Sequence, residues 1–319
     1  MNAKREQTDW RSLIEEAGRR VYALAVQTPT IHVCLAKGST GVYLKLENTQ
    51  RTGSFKIRGA TNKVLTLSDD EVRRGAVASS TGNHGIAVAA AGCFRKMKTD
   101  IFVAAQTSRT KLDKIRAYGA NIRLAGENPL EAELAARSQA EREGKTYISP
   151  YNDVMVVAGQ GTVAAELAEQ VSDLDAVFVA VGGGGLIAGI GEYLSAVSPR
   201  TKIVGCWPEN SPVMYECLRA SKIVHVAEEY TVSESTGGGI EPGSITLELC
   251  RRTIHQKVLV PEQEIIRAMR WAKARGMDIE GSAGLALAAY LQCAEEFRSL
   301  RCAVILCGGN STPEVQRLL

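Results

Sequence analysis

The chain has 319 residues, with 38 Lys and Arg against 35 Asp and Glu interspersed along it; the resulting net charge of +3 makes neither nucleic acid nor an anionic membrane an expected partner. Hydrophobic residues at 45% and charged residues at 23% are ordinary globular proportions, and the length allows a core large enough for two domains. "MNAKREQTDW" has no apolar signal segment, no window reaches the length of a membrane span, and the eight cysteines form no C-x-x-C pair, so a cytoplasmic protein with reduced thiols and no zinc site is expected.

The first informative stretch is "TGSFKIRGATNK", 52–63. Ile57, Ala60, Val64 and Leu65 recur at helical spacing with Ser54 as the expected N-cap, which places Lys56 in the first turn. The positive end of the helix dipole opposes a cation there; that field, with burial, would lower the ammonium pKa and free a nucleophilic amine. A surface lysine with a packed stem and a solvated head is the plainer alternative. Further on, 76–79 reads as a strand leading through "SSTGNHG" into a helix from about 84, followed by a strand at 101–105 and a helix at 111–118 closed by Gly119. Asn128 and Pro129 open a helix that stops at Gly144. "ISPYND" interrupts the periodicity and suggests a domain break near Pro150. Beyond it, strands at 176–181, 202–206, 257–260 and 302–306 alternate with helices at 162–170, 186–197, 212–220, 245–252, 261–275 and 282–297. The pattern predicts an α/β protein of two open α/β domains with mostly parallel sheets. The expected division is 1–68 with 151–319 as the large cofactor-binding domain and 69–150 as the small substrate-loop domain.

In such sheets ligands gather beyond the carboxyl ends of strands. "VFVAVGGGGLIAGI" runs a strand into Gly182, Gly183, Gly184 and Gly185 and then a helix, a nest of bare N–H groups that suits a phosphate. No Lys-Ser/Thr follows, which excludes a nucleoside-triphosphate P-loop. Gly183, Gly185 and Ala188 also fit G-x-G-x-x-A, with Glu209 as a ribose-binding acid, so an NAD-dependent oxidoreductase stays open, as does a turn needed only for tight packing. In "SSTGNHG", the hydroxyls of Ser80 and Thr81, the amide of Asn83 and the N–H groups of a helix start can grip a carboxylate or hold a ring oxygen; singly they are also good caps, and His84 reads as a locally bonded histidine. "AVILCGGN" ends a buried strand with Cys307 facing the ligand end. An amine, a phosphate nest, an oxygen-holding loop and a neutral hydrogen-bonding partner together match pyridoxal phosphate.

The pieces "GSFKIRGA", "SSTGNHG", "AGQGT" (158–162), "VGGGGLIAGI" and "CGGN" stand in an order that resembles the fold-type II pyridoxal-phosphate enzymes, and among them the threonine and serine dehydratases and serine racemases. The resemblance runs from about Thr28 to "CGGN". It implies a tryptophan-synthase-β-like fold with the cofactor in the cleft between the domains, and a homodimer. Lys56 would form the Schiff base and act as general base, and Phe55 would pack against the ring. Asn83 would bond the phenolic oxygen, Gly182 to Gly185 with Leu186 would hold the phosphate, and Cys307 would face the pyridine nitrogen. Ser80, Thr81, Asn83 and His84 would clasp the substrate carboxylate. The implied reaction is β-elimination of a β-hydroxy amino acid, such as L-threonine or L-serine, to a 2-keto acid and ammonia. A thiol is a weak partner for a protonated pyridinium, which favours elimination over transamination. Thr81 stands where serine racemases carry a serine acting on the opposite face, but it is stiffer at χ1, so racemisation is the lesser expectation. Metal-binding relatives have an acid where this chain has Trp207, and Glu209 is out of register, so no metal is expected. The "STGGGIEPGS" loop looks closer to dehydratases of hydroxyectoine breakdown, and 3-hydroxyaspartate stays open as a substrate.

Overall fold

Continuous apolar runs such as "AVFVA" form strands buried on both faces, the signature of parallel sheets covered by helices. The computed structural model describes residues 8–34, 41–107 and 109–319, the side chains of 110 and 111 excepted. Its strands are β1 (Thr30–Val33), β2 (Val42–Lys45), β3 (Ala76–Ser79), β4 (Thr99–Val103), β5 (Asn121–Leu124), β6 (Thr146–Tyr147), β7 (Ala176–Ala180), β8 (Lys202–Pro208), β9 (Gln256–Val260) and β10 (Cys302–Ile305). They make a six-stranded sheet of order β1-β2-β10-β7-β8-β9 and a four-stranded sheet of order β5-β4-β3-β6. Every pairing is parallel except β1 with β2. The fold is therefore α/β with mostly parallel sheets. Each sheet has its own apolar core; in the larger, Phe178 meets Tyr290 and Phe297 edge-on at 5.4 and 5.1 Å.

The sheet order brings the chemistry-bearing loops together. Central β10 pairs with β2 and β7 through Cys302, opposite Val42 and Ala176. The segment after β10 and the glycines after β7 therefore emerge side by side. A bridge between Ser54 and Gly308, and a hydrogen bond from Phe55 N to Cys307 O at 3.0 Å, tie the start of the helix Lys56–Thr66 to the same edge.

That bridge corrects the expected cap. The N-cap is Phe55, without a side-chain bond, while the Ser54 hydroxyl is buried with no partner and residue 54 stands opposite Gly308, held there by bonds from Phe55 N to Cys307 O and from Gly309 N to Gly53 O. A second difference concerns "AGQGT". The helix expected at 162–170 spans Val154–Gln170, since Asp153 caps it by accepting from Met155 N at 2.8 Å and Val156 N at 3.1 Å. Its glycines serve helix packing, not a loop: a Cβ on Gly159 would come within 2.7 Å of Gly59 Cα. The remaining expected elements appear with shifts of a few residues at their ends; the helix expected at 111–118 is Arg109–Arg116, and that at 282–297 is Gly281–Gln292.

Two residues beyond Lys56, Arg58 is fully buried in a charge network. It donates to Glu47 at 2.7 and 2.8 Å and to Glu166 at 2.6 Å, and Lys45 donates to Glu166 at 2.6 Å. Two cations meet two carboxylates, so the network is neutral, and it pins the helix carrying Lys56 to β2 and to Val154–Gln170.

Candidate active site

Lys56 opens its helix with a partly buried side chain whose Nζ donates to Pro150 O at 3.0 Å and lies 5.1 Å from the centre of the Phe55 ring. Burial pulls the ammonium pKa from 10.5 down to about 8, partly offset by Cys307 and Glu280. The amine borders a cavity walled by Phe55, Asn83, Tyr151, the run Gly182 to Leu186, Ser235, Thr236, Ser282 and Cys307. Gly184, at φ +84°, is the N-cap of the helix Gly185–Val197 and aims the start of that helix at the cavity. Gly183 must lack a side chain, because a Cβ there would sit 2.2 Å from the Tyr151 ring.

Asn83, the first residue of the helix Asn83–Phe94, sends its amide nitrogen to both oxygens of Glu280, at 2.9 and 2.8 Å, and its oxygen accepts from Asn310 Nδ2 at 2.7 Å. Glu280 also accepts from Ser235 and Ser282, at 2.7 and 2.6 Å, and from Asn310 N at 3.2 Å. Cys307 lies behind, its thiol 3.2 Å from Ser282 Oγ and pushed up to about 12 by burial, with Glu280 adding to the rise. On the rim, Tyr151 OH accepts from Glu241 N at 2.9 Å, and the Glu241 carboxylate pairs with Arg137 of the helix Pro129–Glu143, tying the 235–244 loop to the smaller sheet's side.

Of the residues singled out in the sequence, Phe55, Lys56, Asn83, Gly182, Gly183, Gly184, Gly185, Leu186 and Cys307 share this cavity. Ser80, Thr81 and His84 do not line it. Ser80 Oγ accepts from Gly82 N at 3.2 Å, and buried His84 bonds Ile148 O through Nε2 at 2.9 Å. Burial, with Lys56 nearby, lowers the His84 pKa to about 3, so the imidazole is neutral. Tyr151, Ser235, Ser282, Glu280 and Asn310 were missed. The available signal for Glu280 was a lone acid directly ahead of "GSAGLALAAY", a helix with almost no polar residue.

A buried amine with a depressed pKa, a side-chain-free cradle at a helix N-terminus and a neutral thiol suit an aldehyde cofactor bearing a phosphate, and residues 23–308 match the model of the pyridoxal-phosphate dependent enzymes. The chain belongs to that family. Its cofactor is pyridoxal phosphate, and the nicotinamide reading of Gly183, Gly185 and Ala188 falls. The chain is 35% identical over 300 residues to the L-threonine ammonia-lyase of Thermotoga maritima, covering 93% of this chain and 74% of that one. It is 36% identical to a catabolic L-threonine dehydratase of Staphylococcus aureus over 282 residues, 87% of this chain and 81% of the relative. Among solved structures, a processed threonine deaminase from Solanum lycopersicum superposes with TM-score 0.91 at 30% identity, covering 97% and 92% of the two chains, and maize serine racemase with 0.88 at 28%, covering 96% and 95%. Among the described residues, no group of three or more His, Cys, Asp or Glu could hold a metal ion, and Trp207 is fully buried against Tyr215. No helix among them is long and apolar enough to cross a membrane.

Proposed function

We propose that this protein is a pyridoxal-phosphate-dependent ammonia-lyase that converts a β-hydroxy amino acid, L-threonine or L-serine, to a 2-keto acid and ammonia. The observation that carries the reading is the Lys56 amine, lowered to about 8 at the wall of a cavity edged by four glycines, Asn83 and Cys307. When bound, the cofactor supplies an aldehyde for the substrate amine and an electron sink for charge developing at Cα.

The chain's own residues do the rest. Lys56 is the attachment point and, once free, takes the Cα proton on Nζ. The backbone of Gly182 to Gly185 with Leu186 would hold the phosphate. Phe55 would pack on the ring face, Asn83 would offer its amide to the phenolic oxygen, and Cys307 would face the ring nitrogen. Ser80 and Thr81, at the mouth of the same helix N-terminus as Asn83, receive the substrate carboxylate; His84, neutral and bonded inward, supports their loop. In the net reaction the Cβ hydroxyl would take up a proton and leave as water, and a water molecule would then replace the nitrogen, giving the 2-keto acid and ammonia.

The test is a keto-acid release screen over L-threonine, L-serine, 3-hydroxyaspartate and hydroxyectoine-derived amino acids, with the chirality of residual substrate followed in parallel. Borohydride reduction should leave a pyridoxyl label on Lys56. Labelling elsewhere, or undiminished turnover in Lys56→Ala, refutes the assignment. Within this reading the enzyme works in the cytoplasm as a homodimer. Eight free cysteines support the reducing compartment, and sedimentation reads the oligomeric state.

A further inference from the structure

Glu241 is anchored on both sides of the carbonyl that holds the Lys56 amine. Lys56 Nζ donates to Pro150 O at 3.0 Å. The hydroxyl of Ser149, the residue before, donates to Glu241 Oε1 at 3.3 Å, and that of Tyr151, the residue after, accepts from Glu241 N at 2.9 Å. The other carboxylate oxygen pairs with Arg137. Arg137 is held in turn by Glu133, to which its Nε donates at 2.9 Å, and its guanidinium lies 4.2 Å from the centre of the Tyr147 ring. Burial raises the pKa values of Tyr147 and Tyr151, with Glu133 and Glu241 adding to the rise, so both phenols stay neutral. Two carboxylates against one guanidinium leave this rim with one negative charge.

In the function proposed above, on which this step rests, the glycine run takes the phosphate and the Ser80–Thr81 loop takes the substrate α-carboxylate. The group beyond Cβ is left with the wall that carries Ser149, Tyr151 and Glu241. We infer that Glu133, Arg137 and Glu241 set substrate specificity by charge: the rim admits a β-hydroxy amino acid whose far end is neutral or cationic and disfavours one that carries a second carboxylate. Arg137 read alone is a receptor for such a carboxylate. Glu241 already occupies it, so an incoming carboxylate has to displace a bound one and face a like charge. 3-Hydroxyaspartate is thereby the poorest of the candidate substrates. Since the Arg137 side chain is 37% exposed, water and salt reach the pair, and each unit of rim charge should change relative affinity by about threefold to tenfold.

The experiment takes the holoenzyme turning over L-threonine or L-serine and measures competition by L-aspartate and L-asparagine, which match in size and differ by one negative charge. In the wild type asparagine should inhibit at a lower concentration than aspartate, and added salt should narrow the gap. The ratio of the two inhibition constants should then follow the charge of the rim. Arg137→Gln widens it, Glu241→Gln narrows it, and Glu241→Gln combined with Glu133→Gln turns it in favour of aspartate. A loosened loop would weaken both inhibitors alike and leave the ratio where it was, so a merely structural role for the pair does not reproduce this order. A wild-type ratio near one or in favour of aspartate overturns the inference, as does a ratio that ignores salt or the variants, or the failure of both amino acids to compete. The wild-type ratio and its salt response decide the matter even where a variant fails to fold. If neither L-threonine nor L-serine releases a keto acid, the proposed function falls and this inference with it; with turnover present, the ratio judges the inference alone.

Discussion

Titrating the apoenzyme from pH 6 to 11 with an amine-acylating reagent, and counting modified peptides by mass spectrometry, should find the midpoint of Lys56 near 8. An ordinary lysine stays protonated to about 10.4, so at pH 7 roughly a tenth of Lys56 would be the free amine, about two orders of magnitude more than for a solvated lysine. The main cause is burial, which disfavours the ammonium; Cys307 and Glu280 recover only part of it. A fall of this size corresponds to about 3 kcal/mol, and because part of the side chain faces cavity water we expect about 1–3 kcal/mol in measured stability. The unfolded chain keeps its proton up to the ordinary lysine pKa while the folded chain sheds it near 8. The penalty is thus fully present below pH 8, and stability contributed at this site rises as pH climbs between the two values. Lys56→Met removes the charge and also the bond to Pro150 O, worth about 1 kcal/mol. Its apoenzyme should resist urea better than the wild type at pH 7, and the advantage should fade toward pH 10.5. A labelling midpoint at 10 or above, with the methionine variant no more stable at pH 7, would refute the desolvation argument.

Glu166→Ala leaves Lys45 and Arg58 to share Glu47 alone in a dry interior, so urea unfolding should show a loss of roughly 3–5 kcal/mol. Gly183→Ala drives a methyl into the Tyr151 ring and disturbs the bond from Glu241 N to the tyrosine hydroxyl; cofactor affinity by fluorescence titration should fall about tenfold or more, and an unchanged affinity would remove the cradle from the account. The His84 imidazole resonances should stay still from pH 8 to 5, since its pKa is lowered to about 3 by burial; the unfolded chain takes up that proton near 6.5, so stability at this site falls as pH drops between the two values. Arg137→Ala breaks the pair with Glu241, and limited proteolysis should then cut faster within the exposed glycines Gly237–Gly239, where Gly238 N still donates to Glu228 at 2.8 Å; an unaltered cleavage rate would show that the pair does not restrain the loop.

Features governed by neighbours along the chain were legible without coordinates. The apolar run into Gly182 to Gly185, the Asn128–Pro129 helix start and the stop at Gly144 follow from backbone sterics and local hydrogen bonds, so composition and period alone announce them. Lys56 at a helix start was readable for the same reason. Its cap was not, because the chain at Ser54 is held opposite Gly308, more than two hundred residues away, by bonds from Phe55 N to Cys307 O and from Gly309 N to Gly53 O, which outweigh local cap preference. "AGQGT" was legible only as a piece of the resemblance; that its Gly159 packs against Gly59 of a neighbouring helix came from the tertiary structure. Glu280 shows the limit most clearly. It meets Asn83, 197 residues distant, only because β10 lies between β2 and β7 and the smaller sheet's first helix faces that edge. Periodicity and spacing determine which segments curl or extend and which loops are free of side chains. Where a buried carboxylate finds its donors depends on contacts that exist only once both sheets have packed.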